Sequence, residues 1–240
     1  MDLFNRLEAI NFHFKKAYRF FSRGSSMRHI LIINPKGGCG KSTIATSIAG
    51  YYADAGKDVA LADYDTQESS MTWLKSRPEN RPRIIGIQGH LNGLSGIPKN
   101  IDLVVMDAPA RANGRKLRDL IRLADTIIFP VLPSPIDIDA SIGHLEDLLS
   151  RSKIVDRKAK IALVANRVKE NTLSFDKLDS YLEKQKIPYV ATLRESQNYI
   201  KCFERGLGIH ELAPYLAYTD WEQWQPLIDW LESKRSLPTN

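Results

Sequence analysis

A short apolar run that leads into a glycine-rich loop is the feature that most constrains the fold of this 240-residue chain. The run HILIIN, residues 29–34, precedes PKGGCGKST, residues 35–43, and the helical pattern STIATSIAGYYADAG follows it. Three glycines within residues 37–40 let backbone N–H groups turn inward without a Cβ clash. A strand, such a loop and a helix N-terminus together predict a binding site for phosphate groups.

The rest of the sequence alternates between short apolar runs and longer amphipathic segments. Near-continuous apolar runs are typical of parallel strands that are buried on both faces. The alternation predicts an α/β fold, a doubly wound and mostly parallel sheet with helices on both faces, whose functional residues lie at the carboxyl ends of the strands. Further strands are predicted in DVALADYD, IDLVVMDAP, ADTIIFPVL, AKIALVAN and PYVATL, and helices at about 67–76, 113–123, 137–152, 173–186, 195–204 and 221–231.

The composition indicates a soluble protein with one main domain over residues 27–240. Apolar and charged residues make up 43% and 26% of the chain, which is ordinary for a globular protein. No apolar run approaches the roughly 20 residues that span a bilayer. Cys39 and Cys202 form no metal or disulfide pattern, so we expect a reducing, cytoplasmic setting.

Residues 1–26 differ from the rest and predict an amphipathic helical extension that ends in the linker SRGSS. Charged residues interrupt it too often for a secretory signal. A basic amphipathic helix can lie on a membrane surface, but packing against protein is the more common use and the one we favour. The apolar stripe consists of Leu3, Leu7, Ile10, Phe14, Ala17 and Phe21.

The residues of the glycine loop have separate chemical tasks. Lys41 is placed to reach the β- and γ-phosphates of a nucleotide, and the hydroxyl of Ser42 suits a Mg²⁺ ligand. Pro35 stands where the usual motif has glycine, so the match is to the variant Lys-Gly-Gly-x-Gly-Lys-Ser/Thr. The predicted nucleotide-binding residues of the loop are Gly37, Gly38, Cys39, Gly40, Lys41, Ser42 and Thr43, with Cys39 as a small filler.

Because it has a lysine at position 36, the loop resembles that of the deviant Walker A ATPases, the ParA/MinD group. VALADYDTQESSMTW resembles their switch I segment, with Thr66 in place of the usual proline. IDLVVMDAPA resembles the Walker B strand and switch II, with Ala110 in place of a second proline. ADTIIFPVLPSPIDIDA resembles the next strand and loop of ParF-type partition ATPases and of McdA-type positioning proteins. The resemblance covers about residues 28–212.

The resemblance implies ATP-dependent dimerisation and slow, Mg²⁺-dependent ATP hydrolysis that a ParB-like or McdB-like partner stimulates. In the family, the lysine at the position of Lys36 crosses the dimer to touch the phosphates bound to the other subunit. Lys36, Lys41 and Asp65 are therefore the predicted catalytic residues. Because Lys36 contacts the nucleotide of the opposite subunit, formation of the homodimer should depend on ATP.

The same resemblance implies roles for polar residues that follow three of the strands. Asp65 matches the residue that orients or deprotonates the attacking water, since phosphoryl transfer needs positioning more than a strong base. The predicted metal site comprises Ser42, Asp63 and Asp107, and Asp107 holds Mg²⁺ through water because a buried carboxylate without a cation is costly. Asn166 matches the residue that bonds the adenine edge, with a turn-forming asparagine as the alternative.

The net charge of +6 is concentrated in residues 151–205, which hold 13 Lys and Arg against 7 Asp and Glu. Such an excess indicates either a polyanion-binding surface or a solvated basic face. We expect non-specific DNA binding, and hence association with the nucleoid, through Arg194, Lys201 and Arg205 on one helical region that the dimer doubles. The alternative contact set is Lys153, Arg157, Lys158 and Lys160.

Three other functions are compatible with parts of this pattern. A MinD-like ATPase that cycles on membranes needs a lipid-binding helix, usually C-terminal, whereas this C-terminal segment is acidic. An iron–sulfur reductase on the same fold needs suitably placed cysteines, and Cys39 and Cys202 are not so placed. A small-molecule ligase calls for neither the signature lysine nor a basic C-terminal half. The sequence therefore favours a ParA-type positioning ATPase whose cargo is a plasmid, a chromosome or a protein compartment.

Overall fold

The computed structural model describes residues 27–111, 114–134 and 159–238, together with residue 143. The predicted extension over residues 1–26 lies outside the described residues. So do the DNA-contact alternatives Lys153, Arg157 and Lys158, and all but one residue of the helix predicted over 137–152.

The strands form a single sheet in which every pair of neighbours is parallel. They are β1 (Arg28–Ile32), β2 (Val59–Asp63), β3 (Ile84–Gln88), β4 (Leu103–Asp107), β5 (Thr126–Val131), β6 (Lys160–Val168) and β7 (Tyr189–Arg194). Their order across the sheet is β3-β2-β4-β1-β5-β6-β7. The chain winds first to one side of β1 and then to the other, and a sheet of this kind binds its ligand at the carboxyl ends of the strands near that reversal.

The described residues also form seven α-helices. They are α1 (Lys41–Asp54), α2 (Ser69–Lys75), α3 (Gly89–Asn92), α4 (Gly114–Leu123), α5 (Leu173–Glu183), α6 (Gln197–Glu204) and α7 (Pro214–Glu232). The hydroxyl groups of Thr172 and Ser196 cap α5 and α6 by accepting a backbone N–H two or three residues on. Among the helices described, none combines the length and apolar character that a membrane span requires.

The predicted fold class is confirmed, and the predicted strands and helices within the described residues occur close to their expected positions. The apolar pattern does not predict β3. This edge strand buries only Ile84 fully, and its central Gly86 leaves room for the side chain of Leu74. A half-exposed strand with an internal glycine lacks the continuous apolar run that identifies the other strands.

Helices cover both faces of the sheet, as the doubly wound topology requires. On one face, buried side chains of α1, α2 and α7 pack with β1, β2 and β4. On the other face, Leu120 and Ile121 of α4 and Leu178 and Leu182 of α5 pack against the same sheet. With both faces covered, the loops that can bind a ligand lie at the ends of the strands.

Candidate nucleotide site

The loop between β1 and α1 has the geometry that its glycines predict. Gly38 and Gly40 have φ angles of +75° and +87°, in the left-handed region that favours glycine. A Cβ atom at Gly40 would also collide with the side-chain amide of Asn166. The loop therefore requires glycine at both positions for its own conformation, and at Gly40 also for its contact with β6.

Asn34 fixes the start of the loop, and sequence reasoning missed it. Its side chain is 1% exposed. Its Nδ2 donates to the carbonyl oxygen of Pro130 at 2.7 Å, and its Oδ1 accepts the amide N–H of Lys36 at 2.9 Å. An asparagine at the buried end of an apolar strand is the signal that could have identified it, because buried polar groups are almost always hydrogen-bonded.

The two lysines of the loop occupy different environments. Lys41 is 7% exposed, and its Nζ lies 3.1 Å from the carbonyl oxygen of Lys36, to which it donates. The side chain of Lys36 is exposed on the surface of the same loop. Lys41 is thus enclosed by its own loop, whereas Lys36 is accessible to another molecule.

Asn166 and Cys39 connect the loop to the sheet. The Nδ2 of Asn166, on β6, donates to the carbonyl oxygen of Cys39 at 2.8 Å. Cys39 is buried, and its thiol donates to the carbonyl oxygen of Lys36 at 3.2 Å. Burial also raises the pKa of this thiol, which fits a small structural filler. The contact of Asn166 with adenine remains a prediction.

Two buried carboxylates lie side by side below the loop. Asp63 and Asp107 are register partners at the ends of β2 and β4, with exposures of 0% and 1%. Burial, followed by the neighbouring charge of Asp63, raises the pKa of Asp107 to about 7, against the lowering effect of the Ser42 hydroxyl. Among the residues described, the Oδ1 atom of Asp107 has no hydrogen-bond partner. A buried, unpartnered carboxylate oxygen near a hydroxyl fits the donor set that Mg²⁺ prefers.

The carboxylate of Asp63 organises the chain that follows β2. Its Oδ1 accepts the amide N–H of Asp65 at 3.0 Å, and its Oδ2 accepts those of Ser70 and Met71 at 2.9 and 3.3 Å. These bonds satisfy free N–H groups at the start of α2. Asp63 therefore holds the loop over residues 64–68 and α2 in place, and its contribution to the metal site stays a prediction.

Asp65 joins the loop after β2 to the loop after β4. Its Oδ1 accepts the amide N–H of Gln67 at 3.0 Å, and its Oδ2 accepts that of Ala110 at 2.9 Å. In the same region, the amide of Arg111 donates to the carbonyl oxygen of Pro35 at 2.9 Å. The predicted water-positioning carboxylate thus links the loop after β2 to a loop that contacts the phosphate-binding loop.

A cleft of about 890 Å³ opens between these loops, within the roughly 300–1,000 Å³ typical of small-ligand sites. Lys41, Ser42 and Thr43 line one side, and α6 with the residues before it lines another. Arg167 stands on the rim with a left-handed φ of 55°, and its guanidinium donates to Glu195 at 2.7 Å. Of the predicted nucleotide-binding residues, six line this cavity and Gly37 and Cys39 do not; the six are Gly38, Gly40, Lys41, Ser42, Thr43 and Asn166.

The predicted DNA-contact residues do not share one helix. Arg194 is the last residue of β7, and its guanidinium bonds Asp220, which is 0% exposed, at 2.7 and 3.2 Å. The helical placement of Arg194 is wrong because the strand runs further than predicted, and its charge serves a buried partner. Lys201 lies on α6 and Arg205 directly follows it, both exposed.

The raised pKa of Asp107 predicts how the nucleotide-free protein responds to pH. Because this pKa of about 7 exceeds the ordinary 3.8, the folded state binds more protons between these values, and its stability falls as the pH rises. Asp107→Asn should therefore raise the free energy of unfolding, and the gain should be about 2–3 kcal/mol larger at pH 8.5 than at pH 5. Urea unfolding in EDTA measures both values.

A matched control for this variant is Asp119→Asn, which removes an exposed carboxylate on α4. Its effect should be small and similar at both pH values. Equal stability of wild type and Asp107→Asn at pH 8.5 would contradict the burial of an uncompensated charge at the end of β4.

The fold and the site together define a nucleotide-binding protein with a phosphate-binding loop on a doubly wound sheet. The family model of the CobQ/CobB/MinD/ParA nucleotide binding domain matches residues 30–209, which is 180 of the 240 residues. The chain belongs to this family, and the resemblance to the ParA/MinD group is confirmed.

A relative in sequence is the Maintenance of carboxysome distribution protein A of Halothiobacillus neapolitanus. It is 29% identical over 190 residues, which cover 77% of this chain and 87% of that protein. This similarity includes the greater part of both proteins, so the two share more than the phosphate-binding motif.

Solved structures show the same fold at lower identity. The ATP complex of a Cyanothece McdA variant has a TM-score of 0.67 and 19% identity, over 85% of this chain and 97% of that chain. A protein assigned to plasmid partition in Borrelia burgdorferi B31, bound to AMPPNP, has a TM-score of 0.68 and 16% identity, over 85% and 99% of the chains. The fold is that of the ParA/MinD-type P-loop NTPases.

Proposed function

We propose that this chain is an ATP-dependent, dimerising ATPase of the ParA type that binds DNA without sequence preference and positions a cargo. The observation that carries the proposal is the pair of lysines on one loop, with Lys41 enclosed and Lys36 exposed. A nucleotide bound in one subunit needs one enclosed lysine for its β- and γ-phosphates. An exposed second lysine can contact the phosphates of a nucleotide bound in another subunit.

The proposed substrate is ATP bound in the 890 Å³ cleft. Lys41 would bind the terminal phosphates. Asn166 would keep its hydrogen bond to the loop and would also contact the adenine edge. Ser42 and Asp107 would hold Mg²⁺, with Asp63 fixing the neighbouring chain. When bound, this ion would neutralise negative charge on the phosphates.

The hydrogen bonds of Asp65 support slow intrinsic hydrolysis and stimulation by a partner. Both of its carboxylate oxygens accept backbone N–H groups, those of Gln67 and Ala110. These two bonds hold the carboxylate between the loops, and we propose that hydrolysis stays slow until the loops separate and free it to orient water. A ParB-like or McdB-like activator would act by promoting that separation.

The proposed cargo follows from relatives. The Halothiobacillus relative is named for carboxysome distribution, and a structural neighbour is assigned to plasmid partition. A protein compartment is therefore the first cargo to examine for this chain, and a plasmid or chromosome is the second. Association with the nucleoid would follow from non-specific DNA binding.

The proposed DNA contacts are Lys201 and Arg205, because Arg194 is committed to Asp220. Two cations in each subunit give four in a dimer, and each neutralised phosphate contributes roughly −0.9 to the log–log salt slope on duplex DNA. Binding should depend on ATP and be indifferent to sequence. Replacing both residues should reduce the slope of the ATP form by about 3 to 4.

Gel shifts on unrelated duplexes at several salt concentrations, with ATP or ADP, test this function. The matched control is Arg83→Ala with Lys99→Ala, which removes two exposed cations that lie just before β3 and β4, at the opposite ends of the strands from the site. The control should bind like wild type, whereas Lys201→Ala with Arg205→Ala should bind weakly. Equal binding of the ATP and ADP forms, or a flat salt response, would contradict the proposal.

A further inference from the structure

Ser70 contacts both of the buried carboxylates at the nucleotide site. It is the second residue of α2 and is 0% exposed. Its amide N–H donates to Oδ2 of Asp63 at 2.9 Å, and its hydroxyl donates to Oδ2 of Asp107 at 2.7 Å. One residue therefore bridges the ends of the two neighbouring strands β2 and β4.

The hydroxyl bond determines which oxygen of Asp107 is left for a ligand. A serine hydroxyl has one hydrogen to donate, and here that hydrogen is directed to Oδ2. The other oxygen, Oδ1, has no hydrogen-bond partner among the described residues. Without the bond from Ser70, either oxygen of the carboxylate could turn toward a cation, and the geometry would no longer be fixed.

The helix that carries Ser70 is anchored at its other end as well as by Asp63. Trp73 Nε1 donates to the carbonyl oxygen of Leu207 at 3.0 Å. Just beyond α2, the guanidinium of Arg77 forms two bonds of 2.9 Å with the carboxylate of Glu211, and both side chains are at most 5% exposed. Buried, bidentate pairs of this kind hold elements in one geometry.

We propose that Ser70 is a positioning residue for the metal site, holding the Asp107 carboxylate so that one defined oxygen faces the Mg²⁺ that accompanies the nucleotide. The inference rests on the proposed function, since it assumes that nucleotide binds here with Mg²⁺. Residues that orient a metal ligand in this way are worth about 10- to 100-fold in metal affinity. Because Ser70 lies on α2, a shift of this helix would also change the orientation of the Asp107 carboxylate.

The test is a Mg²⁺ titration of the binding of a fluorescent ATP analogue, without reference to hydrolysis. Ser70→Ala should raise the Mg²⁺ concentration for half-maximal binding by about tenfold, while binding in EDTA stays within about twofold of wild type. The control Ser47→Ala removes another buried helical serine, 2% exposed on α1, and should leave the midpoint unchanged. An unshifted midpoint in a folded Ser70→Ala protein would overturn the proposal.

A second variant separates the hydroxyl from packing. Ser70→Thr keeps the hydroxyl donor, so its Mg²⁺ midpoint should lie within about threefold of wild type, even where Ser70→Ala fails to fold. A folded Ser70→Thr protein with a tenfold shift would show that the hydroxyl is not the determinant. Wild type that binds the analogue without any Mg²⁺ dependence would instead refute the metal site of the proposed function.

Discussion

Lys41→Ala is expected to weaken nucleotide binding by about a hundredfold. Charge-assisted hydrogen bonds are worth about 1.5–3 kcal/mol, and roughly 2.8 kcal/mol corresponds to a factor of 100. Lys41 is enclosed by the phosphate-binding loop, with its ammonium group on the carbonyl oxygen of Lys36. No other described lysine is enclosed in this loop, so its charge is not replaced within the subunit. Titration with a fluorescent ATP analogue measures the change.

Two controls accompany this measurement. Lys177→Ala removes an exposed lysine of α5 and should bind nucleotide as wild type does. A thermal melt of Lys41→Ala shows whether the loop variant remains folded, since Lys41 is 7% exposed. Less than threefold weakening in a folded variant would exclude Lys41 as the phosphate-binding lysine.

Asp65→Ala is expected to lower the stimulated rate of ATP hydrolysis by about 10²- to 10⁴-fold, the range that a positioned acid or base contributes. Nucleotide binding should persist, because the phosphate-binding loop is unchanged. The variant should therefore accumulate as the ATP-bound dimer. Phosphate release and light scattering on the same samples measure the two effects.

Asp65→Asn separates the catalytic role from the structural bond. The amide of asparagine keeps one oxygen, which can accept the N–H of Ala110 as Asp65 does at 2.9 Å, but it loses the bond from the N–H of Gln67 and has no negative charge. If the carboxylate orients the water, Asn should be nearly as inactive as Ala. Near-normal hydrolysis by Asp65→Asn would mean that this residue only joins the two loops.

The parts of the fold that sequence could predict are those with strong local patterns. β1, β2, β4, β5 and β6 are buried on both faces, so their apolar runs are almost uninterrupted. The glycines of the loop predict its shape because Gly38 and Gly40 have left-handed φ angles, which few other residues adopt. β3 has neither signal, since it lies at the sheet edge with alternating exposure.

Contacts between distant segments could not be predicted from a single sequence. The bond from Ser70 to Asp107 joins residues 37 positions apart, and that from Asp65 to Ala110 joins residues 45 positions apart. The first depends on how α2 lies against the end of β4, and the second on how the loops after β2 and β4 fold over each other. The bond from Arg194 to its buried partner is of the same kind, because Asp220 lies on α7, 26 residues further along the chain.

We propose that Lys36 makes dimerisation depend on ATP. Light scattering of a chromatographed sample, with ATP and Mg²⁺, compares wild type with Lys36→Gln and with the control Lys177→Gln. We predict that wild type and the control reach about twice the protomer mass of 27.2 kDa, whereas Lys36→Gln binds nucleotide and stays at the mass of one protomer. A Lys36→Gln protein that dimerises with ATP as fully as wild type would show that Lys36 is not needed for ATP-dependent dimerisation.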